Sequence, residues 1–178
     1  MSSTNDVGVD VGKRRLAIGW PAACKSYNID LKKIGVRNVE LLNLSEWIAQ
    51  TLPFDVHLWI EMPYLSNGPG ANQTTTIGMA ETVGVVKAAA PWAEVTLVGQ
   101  STWKAQVCGN GRFGKDEVAA WLLMYYPALW DLTDGNEDQI DAMCIGLYGK
   151  MRSEGLIQPP VKKPRKKRKR ANQDSEAS

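Results

Sequence analysis

The chain has 178 residues, a formal net charge of +2 and 44% hydrophobic residues, enough apolar material for one globular core plus a tail. No apolar run approaches the roughly 20 residues of a membrane helix, and the N-terminal "MSSTNDV" lacks the basic-then-apolar pattern of a secretory leader, so an intracellular protein is expected. Three scattered cysteines with no C-x-x-C pair, and His57 as the one histidine, disfavour zinc and fit reduced thiols.

In "VGVDVG", Val7, Val9 and Val11 alternate with Gly8, Asp10 and Gly12. Period two predicts a strand with the valines on one face and Asp10, flanked by glycines, on the other. A carboxylate in such a run is costly unless it is paired, hydrogen-bonded or on a metal. Gly12-Lys13 reads as a tight turn into a second strand, Arg14–Trp20, and Ser26–Ile34 as a third, which makes an antiparallel meander. Asn43–Leu52 carries the stripe Leu44, Trp47, Ile48 and Leu52 of a helix, with Asn43 as its N-cap and Pro53 as its stop.

Asp55–Met62 is too short and apolar for most helices and predicts a buried strand. "PYLSNGPGANQTTT" is a loop by its Pro, Gly and Asn content. Ile77–Trp92 predicts a helix with small residues along one side, and Glu94–Val98 a further strand. Trp103–Cys108 and Asp116–Tyr126 read as helices on either side of the loop "GNGRFGK". Asn136–Arg152 is a last helix opened by the box "NEDQ". The order βββαβαβααα implies an α/β fold, a mixed five-stranded sheet with helices on its faces. Trp47, Trp59 and Trp121 fall on apolar faces as core residues, and His57 reads as structural.

Four acids stand out. Asp10 is central to the first strand and Glu61 ends the strand "HLWIE". Asp138 and Asp141 stand at i, i+3, on one face within a helical turn. Two strand acids and a helix pair can meet at one end of a sheet. Singly each has a plainer reading: an acid in a first helical turn complements the dipole, and Glu61 can simply end a strand at the surface.

These residues resemble the RuvC group of Holliday-junction resolvases, within the RNase H-like nuclease superfamily. The resemblance rests on Gly8-Val9-Asp10-Val11-Gly12, on Ile60-Glu61, on "GMAETVGVV" (Gly78–Val86), on "TWKAQVCGNGRFGKDEV" and on Asp138 to Ala142, and spans Val7 to Met151. It implies an RNase H-like fold and a structure-selective endonuclease of recombination and repair that resolves four-way junctions and other branched DNA. It implies Asp10, Glu61, Asp138 and Asp141 as catalytic acids and metal ligands, with Asp10 bridging two Mg²⁺ ions and Mn²⁺ able to substitute. All-oxygen ligands suit hard Mg²⁺, and two divalent ions neutralise a phosphodiester, activate a water and stabilise the leaving oxygen.

The same resemblance matches Lys104 and Lys115 to lysines at the DNA phosphate or scissile site, against the plainer reading of solvated lysines. Arg112, in the glycine-rich loop, is a candidate backbone clamp. Tyr64, three residues after Glu61, corresponds to an aromatic that stacks on opened bases, or is a loop tyrosine. A two-fold junction needs two sites, so a homodimer follows, with a helical face that includes Ile77–Trp92.

Residues 1–158 form the nuclease domain and hold 13 Lys+Arg against 17 Asp+Glu, whereas 159–178 hold 8 against 2. Lys162, Lys163, Arg165, Lys166, Lys167, Arg168, Lys169 and Arg170 make a basic tail, expected to be disordered alone and to bind polyanions. It reads equally as a nuclear address. The location is then the cytoplasm of a bacterium or phage-infected cell, or the nucleus of a eukaryote. Rival functions are an RNase H-like nuclease for flaps or RNA–DNA hybrids, an actin-like ATPase fragment, and a non-catalytic DNA-binding protein. The ATPase needs two lobes and more chain, and the binding protein needs no converging acids.

Overall fold

The computed structural model describes residues 5–12, 15–30, 40–63 and 73–158. Five strands form one sheet: β1 (Asn5–Val11), β2 (Arg15–Trp20), β3 (Lys25–Asp30), β4 (Val56–Glu61) and β5 (Glu94–Val98). Their order is β3-β2-β1-β4-β5. The first three form the expected meander, with β1–β2 and β2–β3 antiparallel. β4 joins β1, and β5 joins β4, in parallel. Parallel pairing needs crossovers, which α1 (Glu40–Thr51) and α2 (Gln73–Ala89) supply. The remaining helices are α3 (Gln100–Val107), α4 (Lys115–Tyr125), α5 (Pro127–Asp131) and α6 (Glu137–Ser153). No helix among the described residues is long and apolar enough to cross a membrane.

The period-two pattern sorts the sheet into two faces. Val7, Val9, Val11, Leu58 and Ile60 bury against Leu44 and Ile48 of α1 and Val83 and Val86 of α2. The opposite face, with Trp59 and Val98, packs against Trp103, Val118, Leu122, Met143 and Ile145 of the later helices.

α6 lies flush on β1 and β2 because both strands offer a glycine there. Gly8 and Gly19 are paired in register. A methyl group on Gly8 would run into the Ala142 carbonyl oxygen, and one on Gly19 into the Met143 backbone. Backbone therefore meets backbone, and the helix that carries Asp138 and Asp141 is set against the strand that carries Asp10.

Several boundaries differ from expectation. Asn43 is not an N-cap: α1 begins at Glu40, since Glu40, Leu41 and Leu42 are good helix formers and extend it by a turn. α2 starts at Gln73, inside the stretch read as loop, and stops at Ala89, because Pro91 disfavours helix at Ala90. Trp92 thus lies beyond it. β3 ends at Asp30, and residues 31–39 fall outside the described ones. α5 was not expected; Pro127 at its first position starts it and Leu129 buries. At α6, Asn136 does cap, since its side chain accepts from the Gln139 N–H at 3.1 Å. The reciprocal half of the box is replaced by Gln139 Nε2 donating to Ser26 Oγ at 2.8 Å, which ties the helix start to β3.

Candidate active site

Asp10 lies on the α6 face of β1, one residue past Val9, which pairs with Ile60 of β4. The same step along β4 reaches Glu61, so the two acids end adjacent parallel strands. Carboxyl ends of strands are where open α/β sheets take their ligands. Asp138 and Asp141 enter from the first turns of α6.

The four carboxylates interact. Burial, and then the charges of Glu61, Asp141 and Asp138, push the Asp10 carboxyl up to about 8, against some relief from Lys115. Burial pushes Asp141 up to about 6, opposed by Lys104 and Lys115 and reinforced by Asp138 and Glu137. Glu61 is raised by burial and Asp141 and lowered by its hydrogen bond from Trp103 and the charge of Lys104. Such a cluster holds more negative charge than its surroundings compensate, the condition a bound cation relieves.

Among the described residues no three His, Cys, Asp or Glu side chains stand close enough to hold an ion unaided. Mg²⁺ is usually bound by one or two carboxylates, with waters and substrate phosphate completing its octahedron. The carboxylates of Asp10, Glu61 and Asp141, which act on one another, supply the hard oxygen donors that a divalent ion of this kind takes.

Supporting residues divide by burial. Trp103, fully buried, donates from Nε1 to Glu61 Oε2 at 2.8 Å and fixes that carboxylate. Lys104 is only 4% exposed and donates from Nζ to the Phe113 carbonyl at 3.0 Å. It reaches Glu61 and Asp141 electrostatically from within the protein, so it underpins the acids rather than presenting itself to a DNA surface. Lys115 is exposed at the start of α4, ion-pairs with Glu137, and acts on Asp10 and Asp141. Arg112 is exposed, its backbone N–H held by Asn110 Oδ1 at 3.0 Å. Arg15 approaches Asp138 at 4.0 Å. Tyr64 and the tail from Lys162 to Arg170 lie outside the described residues.

Sequence reasoning missed Trp103 as Glu61's partner and Glu137 as Lys115's. An indole one residue before a site lysine was the available signal for the first. The second carried none, since i and j are 22 residues apart. His57 shares a hydrogen bond with Thr96 Oγ1 at 2.9 Å and stacks on Trp59 at 4.3 Å. A cleft of about 370 Å³ beside it shares no lining residue with the four acids.

No known family profile matches the chain, and no curated protein matches it in sequence. Solved structures do match. Thermus thermophilus RuvC in complex with a Holliday junction substrate aligns over 84% of this chain and 94% of its own, at a TM-score of 0.57 and 17% identity. The fold is RuvC-like. A second structure of Thermus thermophilus RuvC aligns over 86% of this chain and 98% of that one, at a TM-score of 0.54 and 16% identity. The RuvC-like, RNase H-like architecture expected from the motifs is therefore the one observed, with mixed sheet order and layered helices alike.

Proposed function

We propose that this chain is a divalent-metal-dependent endonuclease that nicks branched DNA, four-way junctions foremost. The observation that carries the reading is the convergence of Asp10, Glu61, Asp138 and Asp141 at the carboxyl ends of β1 and β4. That the RuvC structure sharing this fold holds a Holliday junction supports the choice of substrate.

Asp10, central to the cluster, would share the ions with Glu61 on one side and with Asp141 and Asp138 on the other. Two Mg²⁺ ions bound there supply charge neutralisation of the phosphodiester, an activated water and stabilisation of the leaving oxygen. The chain's own residues supply the frame. Trp103 fixes the orientation of Glu61, and Lys104 limits repulsion among the acids from below. The glycine-seated α6 fixes Asp141 relative to Asp10. Lys115, on the rim, faces the anionic scissile phosphate, and Arg112 takes backbone phosphate on the flanking loop. Tyr64 stacks on an unpaired base at the branch point, and the basic tail adds sequence-independent attraction. Paired nicks across a two-fold junction call for a homodimer. An exposed Ile77 and an open Gly84 on α2 support that helix as part of the contact.

The test is cleavage of four-way, three-way, flap and RNA–DNA hybrid substrates with Mg²⁺. Symmetric nicks in the four-way junction, lost with EDTA, are expected. Preference for hybrid or flap would remove the junction assignment, and no cleavage of any substrate would remove the nuclease.

A further inference from the structure

The first turn of α6 is fastened by consecutive side chains to three other elements. Gln139 donates to Ser26 of β3 at 2.8 Å, and Asp138 lies 4.0 Å from Arg15 of β2. Glu137, the first residue of α6, accepts a hydrogen bond from the Lys115 ammonium and forms an ion pair with it. Lys115 is itself the first residue of α4. The pair therefore joins the starts of two helices, across 22 residues of chain.

The needs of the two helices do not account for this pair. A cation in a first turn opposes the helix dipole, so α4 gives no reason for a lysine there; Asp116 and Glu117, next along, are the acids a first turn ordinarily takes. Glu137 suits the dipole of α6, yet it stands beside Asp138 and adds to the charge that pushes Asp141 up. Folding stability is no reason either. The two side chains are 57% and 59% exposed, and exposed pairs contribute little to it. What the pair accomplishes is to hold one ammonium next to the residue that precedes Asp138.

We propose that Glu137 is a positioning residue, which anchors the Lys115 ammonium at the rim of the carboxylate site so that it meets the scissile phosphate already ordered. This role rests on the nuclease reading above; the anchoring itself does not. A lysine side chain is a flexible four-carbon stem, and one left free in solvent has to be ordered at every encounter with substrate. An ammonium carries three N–H donors. One directed at Glu137 leaves two for phosphate oxygens, so the anchor and the substrate are held together rather than in competition. Glu137 acts through Lys115 and needs no contact with the DNA.

The experiment uses the full chain, a four-way junction and Mg²⁺, with folding of each variant followed by circular dichroism. Glu137→Ala should lower kcat roughly two- to tenfold, the range for one rotamer-rich side chain that must be ordered anew. Junction affinity should not fall with it, because the charge removed is one that repels DNA. Glu137→Gln keeps an oxygen that accepts from Lys115 and should recover most of the lost rate. In a Lys115→Ala background, Glu137→Ala should slow cleavage no further. Affinity that falls in step with rate, a Gln variant no better than the Ala variant, or effects of Glu137→Ala and Lys115→Ala that multiply would each overturn the positioning role. The anchoring is read without cleavage, by ¹⁵N relaxation of the Lys115 ammonium in the metal-free protein, its signal identified by loss in Lys115→Ala. It should be ordered in the parent and mobile in Glu137→Ala. An ammonium equally mobile in both would overturn the anchor. One ordered by Glu137 in a protein that cuts no branched DNA supports the anchor and overturns the nuclease reading.

Discussion

Replacing Asp10 by Asn is expected to destroy cleavage and, at neutral pH, to make the metal-free protein more stable. The folded carboxyl is pushed from an ordinary 3.8 to about 8. Between those values the unfolded chain has released this proton and the folded chain retains it, so wild-type stability falls as pH rises through the window. At pH 7 the window has been crossed for about three units, which at ~1.36 kcal/mol per unit is on the order of 4 kcal/mol. Asn carries no such burden, so the variant should lead by up to that amount at pH 7 and by almost nothing near pH 4. Mg²⁺ should close the gap by binding wild type alone; at 100 times its dissociation constant a ligand contributes about 2.7 kcal/mol. Urea unfolding from pH 4 to 8, with and without MgCl₂, measures all of this, and a junction gel-shift checks that binding survives. A variant less stable than wild type at pH 7.5, a difference independent of pH, or equal stabilisation of both proteins by Mg²⁺ would refute the reasoning.

Asp141→Asn should be nearly inactive, with slight recovery in Mn²⁺, and Asp138→Asn milder, since Asp138 is 34% exposed and within reach of Arg15; rates in both metals check the ranking. Gly19→Ala drives a methyl into the Met143 backbone, and should cost about 1–3 kcal/mol or more in a urea melt and slow cleavage as α6 lifts. Removing Lys162 onward should weaken duplex and junction binding alike and flatten the slope of log affinity against log salt. Tyr64→Ala should lower junction cleavage more than duplex affinity, measured side by side, because stacking matters only where bases are exposed.

Much of the architecture was written in local pattern. The Val7–Val9–Val11 alternation reports which face of β1 is buried, and the strand run Val56–Glu61 is bounded by its own chemistry. The four acids stood out because each interrupts an apolar or patterned stretch. Other features depended on distance in space. Nothing in the sequence near Lys104 says that it is buried, because its 4% exposure goes with a hydrogen bond to the Phe113 carbonyl, nine residues on. That Gly8 and Gly19 are spaces filled by a helix backbone shows only in their pairing across β1 and β2. The α2 start failed because Gln73–Thr76 has loop composition, and propensity is a weak guide at helix ends.

The sheet works as a partition. Among the described residues, Asp10, Glu61, Trp103, Asp138 and Asp141 project from one side of it or from helices on that side, whereas α1 and α2 pack apolar side chains against the other. Substitutions in that second layer change how firmly the platform is held without touching the spacing of the acids. Within that layer α1, which is not part of the proposed α2 contact, is therefore where such a protein can diversify, by acquiring new surfaces or accepting a fused domain while its chemistry stays constant. It is also where a designer can repack for heat resistance with the least risk to turnover.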